Sequence, residues 1–211
     1  MAKKNKRSGF ELVKRLIDLT FATLGLVITM PIFLFVTCLY LFGENKGPVL
    51  FKQIRIGRNG ERFKIYKFRS MVQNADLKLK QNARLYEKYL KNNYKLEPSE
   101  DPRITNVGKF LRSTSLDELP QLINILKGEM SLVGPRPVVE EELIEYKEKQ
   151  ESFLSVKPGL TGFWQISGRS NVGYPERVDL ELFYVNNKSL FLDIKILLKT
   201  FIIVFIKRGA Y

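Results

Sequence analysis

Residues 19–43, LTFATLGLVITMPIFLFVTCLYLFG, carry no charged side chain. As one helix these 25 residues would extend roughly 37 Å, enough to cross the hydrocarbon of a bilayer. Lys3, Lys4, Lys6, Arg7, Lys14 and Arg15 precede the run, and Lys46, Lys52, Arg55 and Arg58 follow it. With cations on both sides, the positive-inside rule names neither flank as the outer one. Pro31 falls near the middle, where it removes an amide donor and crowds the preceding turn. Two readings stay open: a hairpin bent at Pro31 that returns both flanks to the cytoplasm, and a kinked span, since proline is tolerated in membrane helices. The run exceeds a typical signal core and no convincing small-residue cleavage site follows, so removal is not expected.

A second apolar pattern lies between Leu190 and Arg208, where Ile194, Leu197, Leu198, Phe201, Ile202 and Phe205 recur at helical spacing. Lys195 and Lys199 are one turn apart, and Lys207 and Arg208 end the segment. This fits an interfacial helix that meets anionic headgroups, and equally a buried amphipathic helix. Asp193 interrupts the pattern, as a cap or as a group that organises a cation.

Composition narrows the chemistry. The chain has 35 Lys and Arg against 22 Asp and Glu, a formal charge of +13, which favours anionic partners without choosing among lipid headgroups, nucleotides and nucleic acid. A single cysteine, Cys38, excludes an internal disulfide framework or a cysteine-rich zinc site, and a reducing compartment fits this. There is no histidine, so serine–histidine catalysis within the chain is excluded. Any base, nucleophile or metal ligand must come from carboxylates, hydroxyls, lysines or the one thiol.

Between the apolar segments, Gly47-Pro48 marks a turn. Val49–Ile56 reads as a strand, Arg58-Asn59-Gly60 as a turn and Phe63–Phe68 as the hairpin partner, with Lys67-Phe68-Arg69 a basic segment able to contact phosphate or to remain solvated. Leucines and tyrosines from Val72 to Leu90 predict an amphipathic helix, and Glu97-Pro98 and Asp101-Pro102 a loop. Ser115-Leu116-Asp117-Glu118 has the form of a capping box, followed by the apolar face Leu119, Leu122, Ile123, Ile125 and Leu126. A carboxylate in such a first turn is suited to attack on a diphosphate, though Glu118 reaching back to Ser115 would explain the same residues structurally. Arg112 and Arg136, the latter fixed in Gly134-Pro135-Arg136-Pro137, are candidate phosphate donors. The loop from Lys157 to Asn171 offers Trp164, Gln165 and Arg169 to a nucleotide or sugar, with Trp164 equally readable as core.

In order along the chain, these motifs resemble the bacterial sugar transferase family, specifically its small monotopic polyprenyl-phosphate phosphoglycosyltransferases. The resemblance runs from Lys14-Arg15-Leu16-Ile17-Asp18 through Lys67-Phe68-Arg69 to Leu192-Asp193-Ile194-Lys195. Its strongest marks are Thr114-Ser115-Leu116-Asp117-Glu118-Leu119-Pro120-Gln121, Met130-Ser131-Leu132-Val133-Gly134-Pro135-Arg136-Pro137 and Lys157-Pro158-Gly159-Leu160-Thr161-Gly162.

The resemblance implies a mixed α/β, predominantly helical monotopic membrane protein with an N-terminal re-entrant helix, a short β-hairpin and interfacial amphipathic helices. Residues 1–46 would form the arm and the helix–break–helix bent at Pro31, 47–189 the cytosol-facing catalytic domain, and 190–211 the interfacial C-terminal helix. It implies transfer of hexose 1-phosphate, galactose or glucose, from a UDP-sugar to undecaprenyl phosphate on the cytoplasmic face of the bacterial inner or plasma membrane, initiating surface-polysaccharide synthesis. An N-acetylated sugar is the alternative, and a nonenzymatic basic membrane adaptor the remote one. Asp117 resembles the nucleophile, and Glu118 its neighbour in binding Mg2+ or handling a proton. Arg112 and Arg136 resemble phosphate contacts; Lys67 and Asp193 resemble supporting polar residues in the catalytic region. Expected partners are membrane lipids and polysaccharide-assembly proteins, not nucleic acid. Where the family usually has Asp before an aromatic pair this chain has Glu181, which is assigned no catalysis. The additional N-terminal membrane region of larger relatives is not present, so the chain resembles the small catalytic form.

Overall fold

The computed structural model of the chain describes residues 2–92, 96, 100–168 and 172–205. Helix α1 (Ala2–Leu39) leads into a hairpin of β1 (Leu50–Ile56) and β2 (Arg62–Phe68). Helices α2 (Ala75–Lys80), α3 (Ala83–Lys91), α4 (Asn106–Ser113) and α5 (Gln121–Lys127) follow, then β3 (Ser131–Val133), α6 (Gln150–Leu154) and β4 (Gly159–Thr161). The described part ends with α7 (Phe163–Ser167), α8 (Glu176–Asn187) and α9 (Leu190–Phe205). The architecture is mostly helical with little sheet, as expected.

Helix α1 is the one helix among the described residues long and apolar enough to cross a membrane, by length and composition. Its two faces differ. Asp18, Ala22 and Val36, with Tyr40 just past the helix, are buried against the rest of the protein, whereas Leu12, Leu16, Phe21, Leu24, Val27, Ile28, Met30, Leu34 and Phe35 are exposed. Where a helix–break–helix was expected, α1 runs through Pro31 as one helix. Proline deletes one hydrogen-bond rung, and the buried contacts of Ala22 before it and of Val36 and Tyr40 after it keep both halves on the same body.

The α1 face that meets the protein is also polar near its N-terminus. Lys14 Nζ lies 2.5 Å from Asp193 Oδ2. Arg15 donates to the carbonyls of Ile125 and Leu126 at 2.6 and 2.9 Å, adding to the Gly128 amide that already bonds the Ile125 carbonyl at the C-terminus of α5. Asp18 accepts from Ser131 Oγ at 3.0 Å and from the Leu132 amide at 2.9 Å, which ties α1 to β3.

The hairpin forms as read, with Arg55 opposite Phe63 and Phe51 opposite Lys67. Asn59 and Gly60 take the positive φ that the turn requires. A second, parallel pair was not anticipated: β3 and β4 join Ser131 to Gly159 and Val133 to Thr161. It brings two sequence motifs together through glycine, since a Cβ on Gly159 would sit 2.1 Å from the Gly134 amide nitrogen. The single helix expected over 72–90 is two, α2 and α3, because the Asn82 side chain accepts from the Leu85 amide at 3.1 Å and starts a new helix.

The main core draws on Ala22 of α1, Phe63 and Ile65 of β2, Leu122 and Ile125 of α5, Leu132 and Val133 of β3, Tyr184 of α8 and Ile196 of α9. Helix α9 therefore buries one side, while Phe191, Ile194, Leu198, Phe201 and Ile202 remain exposed on the other. Lys207 and Arg208 lie outside the described residues, as does the Glu97-Pro98 turn.

Close approach of α4 to the hairpin exit also rests on a glycine. A Cβ at Gly108 would lie 1.9 Å from the Ser70 carbonyl oxygen. Gly108→Ala is expected to lower the melting temperature through overpacking worth about 1–3 kcal/mol. Lys109→Ala, an exposed neighbour, should stay within about 0.5 kcal/mol of the parent. Thermal unfolding of both variants in detergent, followed by circular dichroism, makes the comparison.

Candidate active site

Four of the residues singled out by sequence converge where β2, α4 and the turn before α5 meet. Lys67, near the end of β2, places Nζ 2.7 Å from Glu118 Oε1. Arg112, in the last turn of α4, donates from Nε to Ser70 Oγ at 2.8 Å. Asp117 and Glu118 belong to a short 3-10 turn, Leu116–Glu118.

The capping box does not form. Ser115 sits in the left-handed region at φ 57° and makes no side-chain cap bond, and Glu118 reaches across to Lys67 instead. Pro120 explains part of this, because it stands immediately before α5 and cannot donate an amide to a regular first turn. The charge-assisted pair with Lys67 takes the Glu118 carboxylate that a cap would have used.

Asp117 is held in an unusual electrostatic state. Burial, reinforced by the negative charge of Glu118, pushes its carboxyl up to about 6, against the opposing pull of Lys67 and Arg112. It stays mainly ionised at neutral pH yet is more basic, and so more nucleophilic, than a solvated aspartate. Arg112 is pulled down by burial, with the Asp117 charge countering.

The frame around these groups is tightly hydrogen-bonded. Asn124 of α5 is fully buried; its amide donates to the Lys64 carbonyl and to Glu129 Oε2, each at 2.7 Å, and its Oδ1 accepts from the Tyr66 amide at 3.0 Å. One side chain thus fixes α5 to β2 beside Lys67. Arg69 is a structural group and not a free phosphate donor. It donates to the carbonyls of Pro48 at 2.8 Å, Met71 at 3.3 Å and Asn45, and stacks 4.9 Å from the Tyr40 ring. The Tyr40 hydroxyl donates to the Arg69 carbonyl in return.

Other expected residues lie elsewhere. Arg136 stands 5.8 Å over Trp164 and 4.0 Å from Glu142, in a group with Arg55 and Arg177. Gln165 has a buried Oε1 with no hydrogen-bond partner among the described residues. Arg169 lies outside them. Asp193 is joined to Lys14 and, at 2.8 Å, to the Tyr184 hydroxyl, not to the Asp117 pair, so it secures α1 against α8 and α9. Sequence reasoning missed Arg55, Glu142 and Arg177. The spacing of Arg177 and Glu181, four residues apart on α8 and 3.1 Å apart in space, was the one signal available.

Among the described residues no three acidic, histidine or cysteine side chains cluster as a ready-made metal site. Mg2+ does not need one. It is commonly held by one or two carboxylates together with substrate phosphates and water, and adjacent Asp117 and Glu118 fit that pattern.

A family model described as bacterial sugar transferase matches residues 10–207. An exopolysaccharide production protein of Sinorhizobium fredii is 48% identical over 202 residues, covering 94% of this chain and 88% of that protein. An undecaprenyl-phosphate galactose phosphotransferase of Salmonella typhimurium is 44% identical over 214 residues, covering 100% of this chain and 43% of that protein. A UDP-glucose:undecaprenyl-phosphate glucose-1-phosphate transferase of Klebsiella pneumoniae is 39% identical over 214 residues, with 97% and 43% covered. The chain spans under half the length of these last two proteins.

The two neighbouring cations of β2 and its exit should separate cleanly by stability. Arg69→Gln removes a buried guanidinium and the donor to the buried Asn45 carbonyl, and should cost about 1–3 kcal/mol. Lys67→Gln breaks a half-exposed pair and should cost about 1 kcal/mol or less. Chemical denaturation of both variants in the same lipid or detergent provides the measurement, and equal losses would reject the division of roles.

Proposed function

The chain belongs to the bacterial sugar transferase family, and on that premise we propose that it moves hexose 1-phosphate from a UDP-sugar to undecaprenyl phosphate. The observation that carries the reading is the Asp117 carboxyl: half-buried, raised to about 6, and flanked by Lys67, Arg112 and a second carboxylate. With no histidine in the chain, this is the nucleophile best suited to phosphoryl transfer, where positioning and charge neutralisation supply most of the catalysis.

An Asp117 oxygen attacks the phosphorus that carries the sugar, and the bond from that phosphorus to the bridging oxygen breaks, releasing UMP. The hexose phosphate is then an acyl phosphate on Asp117. An oxygen of undecaprenyl phosphate attacks the same phosphorus, the bond to Asp117 breaks, and undecaprenyl diphosphate hexose leaves with the carboxylate restored. Lys67 holds Glu118 and limits its repulsion of Asp117; Arg112, anchored on Ser70, faces the same charge. Mg2+, held by Asp117 and Glu118, would add neutralisation of the diphosphate.

The apolar faces of α1 and α9 support residence at a membrane. From Lys14 to Val36, about 33 Å of helix, α1 is attached to one protein body at both limits of that stretch. A helix so attached suits insertion from one side, the cytoplasmic one, better than a crossing. Galactose and glucose are favoured because the relatives named above carry those sugars in their names. Surface-polysaccharide assembly is the corresponding process.

Incubation of the purified protein with Mg2+ and UDP-hexose should give a phosphohexose adduct on Asp117 by mass spectrometry. Asp117→Asn should lose both adduct and turnover, and an adduct at another residue would overturn the assignment. A panel of UDP-galactose, UDP-glucose and their N-acetylated counterparts, with lipid product and nucleotide both quantified, should release UMP. Release of UDP would sink the reaction class; selective use of an N-acetylated sugar would sink only the hexose.

Topology has its own test. In a Cys38→Ser background, Gly9→Cys and Lys46→Cys should react with a membrane-impermeant maleimide from the same, cytoplasmic side. Labelling from opposite sides would reject one-sided insertion.

A further inference from the structure

The described residues hold a second concentration of charge, built from three separate elements. Arg55 of β1, Arg136 after β3 and Arg177 of α8 all face one carboxylate, Glu142. Arg55 Nη1 is 3.9 Å from Glu142 Oε1, while Arg136 Nη1 and Arg177 Nη2 are 4.0 and 3.9 Å from Glu142 Oε2. A closed guanidinium–carboxylate contact falls near about 2.8 Å. The chain makes such contacts elsewhere: Arg103 holds Asp101 through two bonds of 2.8 Å. Glu142 stands among three bases and closes on none of them.

These cations also retain buried hydrogen-bonding capacity. Arg177 is 5% exposed, yet its Nη2 has no hydrogen-bond partner among the described residues, and neither has the buried Arg55 Nε. Their other atoms are anchored. Arg177 Nε donates to Glu181 at 3.1 Å, and Arg55 donates to the Pro137 carbonyl at 3.2 Å and to Gln53 at 2.7 Å. Arg177 is further fixed against Trp164 at 4.5 Å and Tyr174 at 5.0 Å. Burial, then the charge of Arg136, pushes the Arg55 guanidinium down to about 10, with Glu142 countering in part. Leaving buried donors unmatched is costly, and anchoring them so is the mark of preorganisation for a ligand.

We infer that Arg55, Arg136 and Arg177 form a phosphoryl-binding site for the nucleotide end of the substrate, which Glu142 occupies as an internal competitor when that phosphate is absent. The inference rests on the nucleotide-sugar reading above. The hairpin register relates the two centres. Arg55 and Lys67 lie on one face of the ribbon, because Phe51, opposite Lys67, is four residues from Arg55 on the same strand. That is about 14 Å along the strand, a separation that an arginine and a lysine side chain together can span. Glu118 is among the charges that act on Arg55. The site therefore receives the phosphate that accumulates charge as UMP departs, while Asp117 takes the sugar-bearing phosphorus.

A phosphate monoester could also come from the lipid, so the test uses both sources. UMP and farnesyl phosphate are titrated calorimetrically into the full chain in nanodiscs, comparing wild type with Glu142→Gln and Arg55→Gln. Removing the competitor should tighten UMP binding about tenfold, or about 1.4 kcal/mol, and Arg55→Gln should weaken it by a similar factor; farnesyl phosphate should respond to neither. Unchanged or weaker UMP binding in folded Glu142→Gln would make Glu142 a structural counter-ion and overturn the proposal. A response of farnesyl phosphate alone would overturn the nucleotide assignment. Measuring the Asp117 adduct in the same preparations separates the two ideas. Adduct formation with no Glu142 effect rejects this site and spares the transfer reaction; tightened UMP binding without adduct does the reverse.

Discussion

The polar face of α1 is the constraint on which the rest of the structure depends. Lys14, Arg15 and Asp18 sit just ahead of a 25-residue uncharged run, where an isolated charge would be costly to remove from water. Each is spent on the protein instead: Lys14 on Asp193, Arg15 on the end of α5, Asp18 on the start of β3. At the far end Tyr40 locks onto Arg69 at the exit of β2. Held from Lys14 to its C-terminal end, the helix presents its apolar residues away from the domain, and that exposed apolar surface is a consequence of where the charges are satisfied.

The same contacts reach the chemistry in one step. Asp18 fixes β3, and β3 delivers Gly134-Pro135-Arg136 against β4, where the Gly159 amide donates to the Pro135 carbonyl at 2.8 Å. Arg15 caps α5, whose Asn124 grips β2 and so places Lys67 beside Glu118. Gly108 lets α4 approach Ser70, and Ser70 orients Arg112. Asp117 is thus raised by burial while two cations on independent supports keep it ionised.

Local signals in the sequence were legible where the physics is local. Alternation and the Asn-Gly turn gave the hairpin, helical spacing gave α9, and the motif residues placed Asp117, Glu118, Lys67 and Arg112 together. Failures came where distant groups compete. The capping pattern at Ser115 lost Glu118 to Lys67, a residue 51 positions away. Arg69 looked like part of a phosphate contact, but the carbonyls of Asn45 and Pro48 claim it. Nothing local announces that β3 will pair with β4, or that Arg55, Arg136 and Arg177 will meet. Pro31 shows the opposite limit: a strong local breaker is carried inside a helix because tertiary contacts hold it on both sides.

Glu181 illustrates how a departure from the family pattern is absorbed. It is 1% exposed, accepts from the Tyr146 hydroxyl and from Arg177, and burial pushes its carboxyl up while Arg177 opposes. Its added methylene relative to aspartate lets the carboxylate span between α8 and Tyr146 while keeping the i,i+4 contact to Arg177. With Glu181 engaging only Arg177 Nε, the Nη2 edge of the same guanidinium is left turned toward Glu142. A buried acid that takes one edge of an arginine and leaves the other open sets the orientation of that cation.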